Sequence, residues 1–153
     1  MANEFSTAGI TVKYAVENTA GTFPTSGYTL IPGIKSTPDF NSEPSQLEVT
    51  DLSDTTYKRY IPGLKDTSGS SAFGANLTAA FKTAWSTLCD AANEAQAAGK
   101  STWFEICIPN FDSFYFSGMP TPLGVSGFEV DAVAEIDAYI TPNTIKGWAA
   151  AST

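Results

Sequence analysis

The chain has 153 residues, with eight lysine or arginine side chains against sixteen aspartate or glutamate, no histidine, and a formal net charge of −8. That length suits one domain able to bury about 70% of the surface its unfolded chain exposes, and at 42% hydrophobic and 12% aromatic the chain is too apolar to be disordered. The charge balance opposes electrostatic binding to nucleic acid or anionic membranes, which needs clustered Lys and Arg, and the missing histidine removes Ser-His-Asp and Cys-His catalysis and most zinc sites.

The opening residues Met1-Ala2-Asn3-Glu4 lack the basic n-region and apolar core of a secretory signal. No apolar run approaches the roughly 18 residues of a membrane span. Cys89 and Cys107 form no CxxC pair and lie in segments with a buried pattern. They read as small core hydrophobes carrying free thiols, as suits a chain made in a reducing cytoplasm.

Residues 1–34 hold one good strand candidate, 10–16, followed by a turn-rich stretch at 18–27. Residues 35–76 are rich in Pro, Asp, Ser and Thr, with short strand-like pieces at 46–50 and 72–77. Between them lies a polar stretch, 51–65, that carries Tyr57, Tyr60 and the basic pair Lys58-Arg59. Such a length is unusual inside a compact domain and is often functional. Ile31-Pro-Gly-Ile-Lys35 is echoed by Ile61-Pro-Gly-Leu-Lys65, and in each copy Pro-Gly predicts a type II turn; two copies do not make a repeat protein.

A single clear helix is predicted over 77–98, with Asn76 or Thr78 as cap and Gly99 just past its end. Phe81, Trp85, Leu88, Ala92 and Ala95 form one apolar stripe that packs against a sheet. The remainder reads as antiparallel strands: 101–109 and 112–118 around a hairpin-like connection, then 126–140 as the longest, with a bend or bulge near its middle. In that last stretch Val130, Ala132, Ala134, Ile136, Ala138 and Ile140 alternate with mostly polar residues, the signature of one buried and one exposed face. Thr141-Pro142-Asn143 is expected to end it, leaving a C-terminal tail over 141–153. The class is mainly β (α+β).

Asp131, Glu135 and Asp137 would share one strand face, on which positions two apart, such as Glu135 and Asp137, lie about 6.8 Å from each other. That spacing admits a solvated face, a calcium cluster, a catalytic carboxylate pair, or a wall whose charge has its own purpose. The charge is also uneven. Glu105, Asp112, Glu129, Asp131, Glu135 and Asp137 lie in a segment, 101–145, without a single Lys or Arg. Around Lys58-Arg59, the choices are a solvated loop, a nucleic-acid contact, or a protein contact with tyrosine anchors and an Arg pairing with a partner carboxylate. No P-loop, dinucleotide fingerprint, G-x-S-x-G or metal-spaced ligand set is present.

The run 28–39 (YTLIPGIKSTPD), the loop 51–66, the block 81–85 (FKTAW), then WFEICIP at 103–109, FYFSG at 114–118 and 130–142 follow one another in an order that resembles the major tail tube proteins of long-tailed bacteriophages. The resemblance covers about residues 5–147. It implies two packed antiparallel β-sheets in a sandwich or barrel-like arrangement flanked by one helix. It also implies a single tail tube domain over 1–153, with an N-terminal arm at 1–9, a long inter-strand loop at 51–65 and no appended immunoglobulin-like domain. Function by resemblance is that of a structural virion protein, made in the host bacterial cytoplasm, whose stacked rings, usually hexameric, form the hollow tail tube. The expected partners are further copies of the chain and the tape measure, tail terminator and distal tail proteins. DNA would pass through the lumen without specific binding, and there would be no membrane anchoring, cofactor, metal or catalytic residue. Asp131, Glu135 and Asp137 are then candidates for the lumen wall, and Asp54, Tyr57, Lys58, Arg59 and Tyr60 for inter-ring contacts. A tube protein of a contractile secretion or bacteriocin machine is the alternative. A carboxylate-dependent hydrolase or sugar-binding β-sandwich is a more distant one.

Overall fold

The structure, a computed structural model, describes residues 4–66 and 69–152. Residues 1–3 of the expected arm and 153 of the expected tail lie outside that range. Among the described residues the order is β1 (Thr11–Val16), β2 (Thr29–Ile31), β3 (Ile34–Ser36), β4 (Gln46–Glu48), β5 (Tyr60–Pro62), β6 (Ser71–Asn76), α1 (Ala79–Ala97), β7 (Thr102–Cys107), β8 (Ser113–Pro120) and β9 (Glu135–Ala149).

Seven strands form one antiparallel sheet in the order β2-β1-β7-β8-β9-β6-β3, and β4-β5 stand apart as a second, two-stranded sheet. The outer strands β2 and β3 are consecutive in the chain, separated only by Pro32-Gly33. The sheet is therefore drawn round on itself, and its two edges meet at one corner. This is the mainly β, barrel-like fold with one helix that the sequence predicts. Gly33 takes φ 82° there, a conformation that costs a residue with a Cβ. Its echo differs: Gly63 is not left-handed. It is small because a Cβ would press on the Ser45 hydroxyl across the β4–β5 pair. The expected pair of type II turns is thus a single one.

The curved sheet wraps its inner face around Val12, Tyr14, Ile31, Phe73, Phe104, Phe116, Ala138 and Ile140, and α1 adds Phe81, Trp85, Leu88 and Cys89 to the same core. The helical stripe is the predicted one, with Ala92 and Ala95 also buried. The Thr78 hydroxyl caps the helix by accepting from Phe81 N–H at 3.1 Å. At the other end Gly99 (φ 74°) ends it in a Schellman motif, with Gly99 N–H on Gln96 O and Lys100 N–H on Ala95 O. Trp85 Nε1–H donates to Thr121 O at 2.8 Å and ties the helix to the exit of β8.

The last strand corrects the sequence reading. It starts at Glu135, not 126, and runs on through Thr141-Pro142-Asn143 to Ala149. Pairing with β8 carries it across the proline, Gly118 facing Pro142 beside a register shift. Proline is tolerated in sheets at such irregularities. The expected C-terminal tail is thus mostly strand, and the stretch before Glu135 is an irregular connection containing Asp131 at φ 62°.

The outer face of β7 and β8 is also covered. Phe23 packs edge-on against Trp103 and Tyr115, and residues 150–152 lie over Glu105. Both cysteines are free, Cys89 buried and Cys107 half-buried.

Candidate assembly surface

The β4–β5 pair is an arm. Its register sets Gln46, Leu47 and Glu48 against Pro62, Ile61 and Tyr60, and every strand residue on it is exposed. A two-stranded hairpin without a packed face is at best marginally stable in water, and the apolar side chains of this one are left in solvent. Leu47, Val49, Leu52, Tyr57, Tyr60, Ile61 and Leu64 are all exposed, Tyr57 to 82%.

The tip is tied down by its own polar residues. Arg59 Nε–H donates to Asp54 Oδ2 at 2.8 Å, and Nη2 reaches Asp51 Oδ2 at 3.3 Å. Thr50 Oγ1 accepts from Arg59 N–H at 2.8 Å. The Asp51 carboxylate takes the Ser53 hydroxyl and amide, and these donors hold its pKa below the usual range. Asp54 is lowered first by the Asp51 amide and then by Arg59. The candidate set 54–60 is therefore brought together on one hairpin, and the Arg59 guanidinium pairs within the arm, on Asp51 and Asp54. Tyr57, Lys58 and Tyr60 face outward.

The acidic set is split. Glu135 and Asp137 lie on the outward face of β9 as expected, and Asp131 does not share that face, because it sits in the turn before the strand. Glu135 is paired with Lys35 of β3. Across from β9, Asn76, Gly74 and Ala72 of β6 stand opposite Glu135, Asp137 and Tyr139. Gly74 and Ala72 are small, so this face is smooth around Asp137 and leaves its carboxylate open to water. Glu105, counted with the acidic segment, is wholly buried and belongs to no surface.

Two features escaped sequence reasoning. The first is a pair of buried carboxylates. Glu17 accepts from Gly21 N–H, Ser101 N–H and Trp103 Nε1–H at 3.1, 3.0 and 2.9 Å. Glu105 accepts from Ser152 N–H and Oγ–H at 3.0 and 2.7 Å, with the Tyr115 hydroxyl at 2.9 Å. Burial pushes both pKa values up, but these donors outweigh it and hold both below the usual range. The second is apolar exposure away from the arm: Val125, Phe128, Val130 and Val133 between β8 and β9, and Phe5, Phe111, Ile145 and Trp148 at the opposite end of that strand pair. The first group was hidden by its alternation, which mimics a half-buried strand; in the second, the aromatics around the β7–β8 hairpin pointed to outward rings such as Phe111, and only Phe5, Ile145 and Trp148, scattered over distant parts of the chain, gave no signal.

No protein-family model and no curated protein matches the chain. Solved structures share its fold. A chain in the cryo-EM structure of the anti-feeding prophage baseplate, 6-fold symmetrised, aligns with a TM-score of 0.60 at 8% identity over 96% of this chain and 97% of that one. A chain from the tail of an empty GTA particle, refined helically with C6 symmetry, aligns with a TM-score of 0.51 at 16% identity over 92% and 96%. The fold is therefore one used by subunits of six-fold, phage-tail-like particles.

Proposed function

We propose that this chain is a non-enzymatic structural subunit of a phage-type tail, which self-assembles into stacked six-membered rings and forms the hollow tube that conducts DNA. The observation that carries the reading is the likeness, over nearly the whole of both chains, to a subunit of a six-fold particle. The exposed arm supports it, because it holds apolar side chains where only another subunit would cover them. In this reading the arm bridges neighbouring rings, and the acidic face of β9 lines the bore, where like charge keeps DNA phosphates from adhering. Tape measure, tail terminator and distal tail proteins would be its other partners, in a virion tail assembled in the host cytoplasm.

A second reading, the tube of a contractile secretion or bacteriocin machine, is favoured by the anti-feeding prophage likeness. Electron microscopy of the purified protein at high concentration tests the shared core of both: hollow tubes of uniform width are expected, and dispersed monomers would sink both. DNA-filled particles in the native context then separate the first reading from the second.

A further inference from the structure

We infer that the β8–β9 connection of one subunit, residues 124–134, docks in an apolar groove of a second copy, at the far end of that copy's β8–β9 pair. The inference rests on the self-assembly reading and names the surfaces that meet. The groove is an open concavity of about 810 Å³ whose apolar walls are Phe40, Ile106, Ile108, Phe114, Ile145 and Trp148. Lys65, Lys146 and Asp39 complete it. Lys146 Nζ lies over the Phe23 ring and Asp39 accepts from Asn41 N–H, so among the described residues of the rim Lys65 is the cation left to meet an incoming charge.

The connection has the matching chemistry. Phe128, Val130 and Val133 are exposed, Val130 to 97%, and Glu129 and Asp131 stand exposed between them. It presents apolar side chains for the walls and carboxylates for Lys65. It cannot fill its own subunit's groove. Ten residues of strand separate Glu135 from Ile145, about 33 Å, and the five residues from Glu135 back to Val130 span about 17 Å fully extended. Register puts the two patches at opposite ends, with Pro120 facing Ile140 near the connection and Ser113 facing Ala149 at the groove. A contact between different patches is heterologous, so it repeats from copy to copy and builds a ring or a filament.

Sedimentation velocity on the full chain tests this. A loop variant, Phe128→Asp with Val130→Asp, and a groove variant, Trp148→Asp, should each self-associate at least about tenfold more weakly. Mixed, they should form a 1:1 pair and stop there, because one keeps only its groove and the other only its loop. Trp148 also packs on Phe111 and Phe114, so the exposed pair Glu129→Lys and Lys65→Glu repeats the test without touching the fold: each should weaken association and their mixture restore it. Variants that associate like the parent overturn the inference, as does a mixture that stays monomeric. Tubes built by both variants as by the parent overturn this contact and leave the tube proposal standing. A 1:1 pair from a parent that makes only chains without a bore upholds the contact and overturns the tube.

Discussion

Glu17 and Glu105 take negative charge into the interior, and the hydrogen-bond donors on them are all uncharged: amides, an indole and hydroxyls. Lys13 stands opposite Glu105 in the β1–β7 register, yet the contacts that hold the carboxylate come from Ser152 and Tyr115. The Tyr115 hydroxyl also lies 2.7 Å from Ala150 O, and its one proton serves one acceptor at a time. Glu105→Ala would strip partners from the Ser152 amide and hydroxyl, while the Tyr115 hydroxyl keeps Ala150 O. A loss of about 2–4 kcal/mol in urea unfolding is expected, with Glu105→Gln costing less because its amide oxygen still accepts. The pH dependence follows from the direction of the shifts. Both carboxyls titrate lower folded than unfolded, so their stabilisation is complete above the unfolded value of about 4.3 and lost as pH falls through the folded values. The urea midpoint should drop as pH falls below about 4. In the double variant Glu17→Gln, Glu105→Gln that drop should be shallower, and an unchanged slope would exclude these two groups as its source.

The helix was the most legible element because every signal for it is local: a stripe at 3.6-residue spacing, Thr78 before it and Gly99 after it. β9 was the least legible. Thr141-Pro142-Asn143 is turn chemistry by itself, and only eight pairings with β8 over 113–120 carry the strand through it. Tertiary pairing overrode local propensity there. The candidate site shows the same division. Tyr57, Lys58 and Tyr60 could be read as exposed from the polarity around them. The self-pairing of Arg59 could not, because it requires a hairpin that folds position 59 back on 51 and 54. That self-pairing makes a prediction at this scale. Arg59→Ala should leave urea stability nearly unchanged, since exposed ion pairs contribute little to the global fold, while amide hydrogen exchange accelerates across 49–59 alone. Acceleration across β6 or β9 as well would mean that the arm is coupled to the barrel and is not a separate unit.

At the scale of the whole molecule, the count of sixteen acidic side chains overstates the open carboxylates that a neighbour or a nucleic acid meets. Glu17 and Glu105 are buried and Glu135 is offset by Lys35. On the outward face of β9 this leaves Asp137 as the unpaired carboxylate among the described acidic residues of that strand, flanked by Gly74 and close to Tyr139. If that face lines a bore, Asp137 is the residue at which charge reversal reports on DNA passage most directly. Asp137→Lys is exposed on a smooth wall and should leave the fold and tube width unchanged in electron micrographs. It would, however, exchange repulsion of the phosphates for attraction in every copy around the ring. Duplex DNA carries a phosphate about every 1.7 Å of its axis, so a ring of lysines would act as a repeated brake. The salt dependence separates this from any loss of assembly. The Debye length grows from about 8 Å at physiological salt to about 30 Å at 0.01 M. Particles with Asp137→Lys tubes should therefore eject DNA more slowly than the parent, with the deficit widening as salt is lowered. Ejection that matches the parent at low salt would place the acidic face of β9 outside the bore.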